Sequence, residues 1–219
     1  SQSGSTITAT AERRSHFQSW FGNDNASISF TVYVPKSMSC NLNTSGGSIS
    51  LTGVSGEQEL KTSGGSLSLS MIKGNVEAGT SGGSINIDRY SGRLEAHTSG
   101  GSINLKEAKG DLNLRTSGGS INLESINGSV DASTSGGGIH ADISGLEKYL
   151  RLKTSGGSIT ASIPSGLGMD LDLRGNRVNT KLVNFNGEAE KDRIRGSMNG
   201  GGIEVVMATS GGSVNLEYQ

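Results

Sequence analysis

One feature of the 219-residue sequence limits its fold more than any other: a turn reading Thr-Ser-Gly-Gly-Ser-Ile that returns at a fixed interval. Thr-Ser-Gly-Gly begins at Thr44, Thr62, Thr80, Thr98, Thr116, Thr134, Thr154 and Thr209, and the first five intervals are 18 residues and the sixth is 20. A weaker copy, Met198-Asn199-Gly200-Gly201-Gly202-Ile203, stands 11 residues before the last. Self-similarity at a fixed period marks stacked supersecondary units that cannot bury an apolar face alone.

With the Thr as position 1, apolar residues fall at positions 6, 8, 11, 15 and 17, and a Gly at 13. In the coil from Thr80 these are Ile85, Ile87, Tyr90, Leu94 and Ala96, with Gly92; in the coil from Thr116, Ile121, Leu123, Ile126, Val130 and Ala132, with Gly128. The pairs 6/8 and 15/17 alternate with polar residues, the period of a strand with one buried face. Glycines at 3, 4 and 13 mark corners that need a positive φ or a close backbone approach. A lone coil buries five small side chains against roughly 1–2 kcal/mol of backbone entropy per residue, so it must stack. Rung-on-rung pairing at about 4.8 Å then closes a narrow apolar column. The reading is an all-β chain, a single-stranded right-handed parallel β-helix with 18-residue coils, the hand following from the chirality of parallel crossovers. Two-sheet and three-sheet cross-sections both fit, because position 11 serves equally as a corner or a short strand.

Arrays of threonine suggest ice binding, but position 1 is in phase with the buried positions 15 and 17. The threonines are therefore expected to form an internal ladder with satisfied hydroxyls. Position 7, occupied by Ser50, Ser68, Asn86, Asn104 and Asn122, is expected to be an outward polar ladder. Cys40, the only cysteine, falls at position 15 and reads as an inert core thiol.

Residues 1–219 read as one solenoid domain: strands and a cap loop over 1–43, regular repeats over 44–174 and irregular coils over 175–219. Thr6–Thr10 and Ala26–Val34 alternate like strands around a polar Glu12–Asn25 loop, the expected lid on the first coil. Asn184–Asp192 reads as an exposed hairpin or loop. The coil from Thr209 to Gln219 has nothing after it, so an uncovered terminal edge open to self-association is expected. A start at Ser1 without initiator Met reads as a mature or trimmed chain, any targeting segment of which would lie upstream.

Aromatics are 4% and hydrophobics 32% of the residues, enough for a thin core only. A formal net charge of −1 supplies no field for nucleic acid, and no apolar run is long enough to insert in a membrane. The acidic outward column at position 16, Glu59, Glu77, Glu95, Asn113 and Asp131, is the most suggestive charged feature. Its carboxylates repel by roughly 1 kcal/mol each even at bulk-water dielectric, and Lys61, His97 and Arg115 at position 18 are placed to compensate. Position 9 offers Asp88, Lys106 and Glu124. Its two carboxylates lie two rungs apart, about 9.6 Å, near the limit for an inverting glycosidase pair, but the intervening lysine favours an ion-pair ladder. His16, His97 and His140 share no column, so neither a triad nor a histidine metal site is expected, and the turns place Ser and Ile where a calcium-binding β-roll needs Asp. No catalytic residue and no cofactor is assigned.

Several segments together resemble the bacterial family of β-strand-repeat domains of unknown function that carries an adhesin label. They are the Val34-Pro35-Lys36 stretch, the repeated turns, Ile163-Pro164-Ser165-Gly166, and the closing Gly200-Gly201-Gly202-Ile203-Glu204-Val205 and Thr209-Ser210-Gly211-Gly212-Ser213-Val214. The resemblance runs from about Ser27 onward and implies an exported protein of the envelope, cell surface or periplasm. The expected function is a non-enzymatic adhesion or assembly scaffold acting through its faces or edges on a glycan or protein ligand. A glycan-active β-helix enzyme and an end-to-end polymerising solenoid are the alternatives.

Overall fold

The alternation at positions 6/8 and 15/17 becomes parallel strand, one rung above the next. The computed structural model describes residues 2, 3, 6, 7 and 29–219, and the chain divides into two units, Ser1–Val34 and Pro35–Gln219. In the first, β1 (Gln2–Ser3) pairs antiparallel with β2 (Thr6–Ile7). The Glu12–Asn25 loop lies outside the described residues. The strand expected over Ala26–Val34 is not formed across its described part: Phe30, Val32 and Tyr33 are all exposed, so neither parity has a buried face to stabilise one.

The second unit begins with β3 (Cys40–Thr44), β4 (Ile49–Thr52) and β5 (Gln58–Thr62). It continues through β6 (Leu67–Thr80), β7 (Ile85–Thr98), β8 (Ile103–Thr116), β9 (Ile121–Ser133) and β10 (Ile139–Thr154). These pair in parallel with an 18-residue register, Ile85 on Ile103 on Ile121, and all three side chains are fully buried. The result is a β-solenoid of about seven turns, with no helix among the described residues.

Two bends divide the rungs that start at Thr62, Thr80, Thr98 and Thr116 after position 9. Position 10 is left-handed without being glycine, with φ of 55° at Met71, 54° at Arg89, 51° at Glu107 and 57° at Ser125, while position 13 is a left-handed Gly. Between them position 11 stays buried and in register, Ile72 on Tyr90 on Ala108 on Ile126. Position 11 is thus a short third strand between two corners. Its first corner had no sequence signal, because each left-handed residue there costs on the order of 1 kcal/mol and is held by the pairing on either side.

The repeated turn is an inter-rung bonding device. Thr80 Oγ1 donates to the Gly65 carbonyl below at 2.8 Å and accepts the N–H of its own Gly83 at 3.3 Å; Thr62, Thr98, Thr116, Thr134, Thr154 and Thr209 do the same. The threonines are buried, as the phase argument requires. Each position-5 serine passes on a further bond, Ser66 Oγ accepting the Ser84 N–H at 3.2 Å and Ser84 Oγ that of Ser102. A Cβ at the second Gly of the turn would overlap the carbonyl oxygen of the glycine below, so the rungs can close to strand spacing only over glycine. On the first rung Cys40 keeps its register at position 15 but is only half-buried, and burial pushes its thiol pKa up. Above it Gln58 occupies the core position, its amide satisfied by Met38 O at 2.7 Å and the Cys40 N–H at 3.1 Å.

The chain does not stack its last rungs in sequence order. After β11 (Ile159–Ile163) come β12 (Met169–Arg174), β13 (Arg177–Thr180), the antiparallel β14 (Phe185–Ala189) and β15 (Arg193–Met198), then β16 (Ile203–Thr209) and β17 (Ser213–Tyr218). β16 inserts between β10 and β12, and β17 between β11 and β13. The expectation of an uncovered edge on the Thr209–Gln219 coil is therefore corrected: β17 is paired along one edge with β11 and along the other with β13. Of the hairpin or loop expected over Asn184–Asp192, the structure forms a longer hairpin, Phe185–Met198, whose second strand lies antiparallel on β12. The Met198–Ile203 copy is a turn, left-handed from Asn199 to Gly202, but not another Thr-Ser-Gly-Gly corner. Ile203 pairs with Met169 rather than with Ile159, because 11 residues cannot complete an 18-residue rung.

Candidate functional site

Two outward columns carry the charged residues singled out from the sequence, and they lie on different strands of the rung. Glu59, Glu77, Glu95, Asn113 and Asp131 stack in register at position 16. Lys61 Nζ lies 2.6 Å from Glu59 Oε1 and 3.0 Å from Glu77 Oε1, and these two partners push its pKa up. Asn41 Nδ2 donates to Glu59 Oε2 at 2.8 Å. Of the three compensating cations expected, Lys61 takes that role, while the His97 ring packs where a side chain at Gly79 would stand. Asp131 faces Arg151 on the next rung. Arg151 forks onto Glu204, Nε to Oε1 at 3.0 Å and Nη2 to Oε2 at 2.6 Å, with its guanidinium 4.5 Å from the Tyr149 ring centroid. That cluster was not legible in the sequence, since Glu204 reaches Arg151 only through the inserted rung.

The 20-residue coil places its extra residues on the same side. Pairing between β9 and β10 shifts register between Ala141 and Leu150, and the Lys148 N–H donates to Ser129 Oγ at 3.3 Å, burying that serine completely. The bulge covers position 14 rather than breaking the core.

At position 9, Asp88, Lys106 and Glu124 also stack as expected. Lys106 Nζ lies 3.0 Å from Glu124 Oε1, and that carboxylate holds the lysine pKa up. Asp88 Oδ2 accepts from Arg89 Nε at 2.8 Å and Ser70 Oγ at 3.4 Å. The two carboxylates are therefore divided between separate partners. Two residues earlier on each rung, Asn104 Nδ2 donates to Asn86 Oδ1 and Asn122 Nδ2 to Asn104 Oδ1, both at 2.8 Å. Each such amide keeps a second N–H and a second lone pair.

Columns 7 and 9 flank an open trough of about 950 Å³ that runs from Ser50 and Thr52 past Asn86, Asn104 and Asn122 to His140 and Asp142. Gln219 borders it as well: its Nε2 donates to Asp142 Oδ1 at 3.1 Å and to the Ile143 carbonyl at 3.0 Å. Sequence reasoning found both columns but not the trough or Gln219, whose position depends on the insertion of β17. Among the described residues no group of three His, Cys, Asp or Glu side chains is placed to hold a metal, and no helix is long and apolar enough to cross a membrane. The arrangement offers hydrogen-bond donors and acceptors at one set per rung, with Asp88, Lys106 and Glu124 in ion pairs.

The sequence matches, over residues 1–217, the profile of a family described as Toastrack DUF4097. No curated protein and no solved structure matches the chain.

Proposed function

Because the chain belongs to the Toastrack DUF4097 family, a repeat domain of unknown function, we propose that it is a non-enzymatic scaffold exported to the bacterial envelope or surface, where its polar faces serve adhesion or assembly. The observation that carries this reading is the division of labour within the rung. The repeated Thr, Ser and Gly atoms are consumed by bonds to neighbouring rungs, whereas position 9 varies from rung to rung and, with the Ser and Asn column at position 7, flanks an open trough. A constant frame with a variable outward column is the construction of a binding surface. Envelope placement rests on the resemblance to adhesin-labelled repeat domains.

The glycan-active alternative would need Asp88 and Glu124 to share one substrate bond, and Lys106 between them is committed to Glu124. Fractionating cells that make the protein, and incubating the pure protein with neutral and uronic-acid polysaccharides, tests both halves of the proposal. Envelope recovery with intact polysaccharide is expected. Recovery in the cytosol, or release of reducing or unsaturated ends, would overturn it. End-to-end assembly is a separate outcome, visible as filaments by electron microscopy of concentrated protein.

A further inference from the structure

We infer that the trough between columns 7 and 9 takes a linear, uncharged polysaccharide lying along the solenoid axis, a ligand class that deepens the binding role proposed above and rests on it. Three observations on the trough lead to this ligand. Lys106 pairs with Glu124 and Arg89 with Asp88, while Asp142 is bonded by the neutral amide of Gln219, so the trough has hydrogen-bonding capacity and one residual negative charge, a field that disfavours polyanions. One of its walls is a column of carboxamides, Asn86, Asn104 and Asn122, already linked by Nδ2-to-Oδ1 bonds. These bonds fix the amide orientation, so the remaining N–H and lone pair of each are presented without further ordering cost. The lining from Ser50 to His140 crosses six rungs, about 24 Å at strand spacing.

Period then separates the polymer classes. An extended polypeptide advances about 3.3 Å per residue, so its same-side groups recur at roughly 6.6 Å and drift out of step with rungs about 4.8 Å apart. A β-1,4-linked pyranose chain advances by close to one rung per sugar and inverts at each link, so its same-side hydroxyls recur at about two rungs and stay in step with alternate amides. Hydroxyls both donate and accept, which matches the paired capacity left on each Asn.

The test uses the full chain and β-1,4-linked gluco- and N-acetylglucosamine oligosaccharides of increasing length, followed by titration calorimetry. Affinity is expected to rise with length and level off at about six sugars, the number of rungs spanned. Asn86→Ser, Asn104→Ser and Asn122→Ser should each weaken binding by roughly fivefold, one lost hydrogen bond apiece, and the triple variant should leave no measurable binding. Serine already occupies this column at Ser50 and Ser68, so these variants keep the rung; an unchanged thermal unfolding midpoint verifies that. Binding that ignores chain length, survives the triple substitution, or is seen only with polyuronates and vanishes in salt would overturn the assignment. The broader proposal fails on different results, a cytosolic location or cleaved polysaccharide, so the two can be told apart.

Discussion

Thr98 and Gly101 show how much of this fold is settled at single atoms. The hydroxyl of Thr98 donates to Gly83 and accepts from Gly101, so Thr98→Val leaves both a half-buried carbonyl and a half-buried N–H without that partner. A loss of about 1–3 kcal/mol is expected in a denaturant titration, with Thr98→Ser recovering most of it. The two turn glycines are not equivalent, although the sequence repeats both. At Gly82 an added Cβ would stand 3.4 Å from the Gly64 carbonyl oxygen, ordinary contact, whereas at Gly83 it would overlap that of Gly65. Gly82→Ala should stay within about 0.5 kcal/mol of the parent, and Gly83→Ala should cost about 3 kcal/mol or more by forcing two rungs apart. Thermal melts of the pair make the comparison directly. That threonine faces inward was legible in the sequence from its phase with positions 15 and 17. That Gln58 finds partners at its core position 15 was not, because its amide is satisfied by Met38 and Cys40 from the preceding rung.

Among the elements, the C-terminal rung carries a stability disproportionate to its length. β16 and β17 fill a slot between the β10–β11 rung and the β12–β13 rung, and β14–β15 rests in turn on β12. Removing residues 203–219 therefore deprives β12 and β13 of a neighbour as well as losing two strands. Hydrogen exchange on such a truncation should show protection lost over 169–198 and kept through β6 to β9, since each rung in a solenoid is stabilised by its neighbours. Equal protection of β12 in both forms would contradict the inserted order. The loop that delivers β16 is anchored by Asp170, which accepts from Ser197 Oγ at 2.6 Å and from the Gly202 N–H at 3.1 Å. Those bonds hold the Asp170 carboxyl below its ordinary pKa. The anchor's contribution is present above about pH 4 and fades as pH falls through the folded value.

Over the whole molecule, the thin core sets an alkaline limit. Tyr90 is buried at position 11 with its hydroxyl donating to Gly74 O at 2.6 Å, and burial pushes its phenol pKa upward, as it does for Tyr218. The folded state thus retains protons that the unfolded chain gives up above about pH 10, so stability should fall as pH rises past that point. Chemical denaturation repeated at increasing pH should show the decline in the parent and a shallower one in Tyr90→Phe, measured from a slightly lower neutral-pH stability. Equal slopes would remove Tyr90 from this account. The charged columns were readable because an 18-residue period makes every side chain's vertical neighbour a matter of counting. The trough they flank, the left-handed corner at Met71, Arg89, Glu107 and Ser125, and the Arg151–Glu204 fork were not. Periodicity in the sequence determined the strand phase, the inward threonines, the stacking and both outward ladders, because register is local to one rung and its neighbour. Only the tertiary structure decided the order of the last rungs, since an open slot flanked by two sets of unpaired backbone groups is filled by whichever strand can reach it, and that depends on where the rest of the chain has already folded.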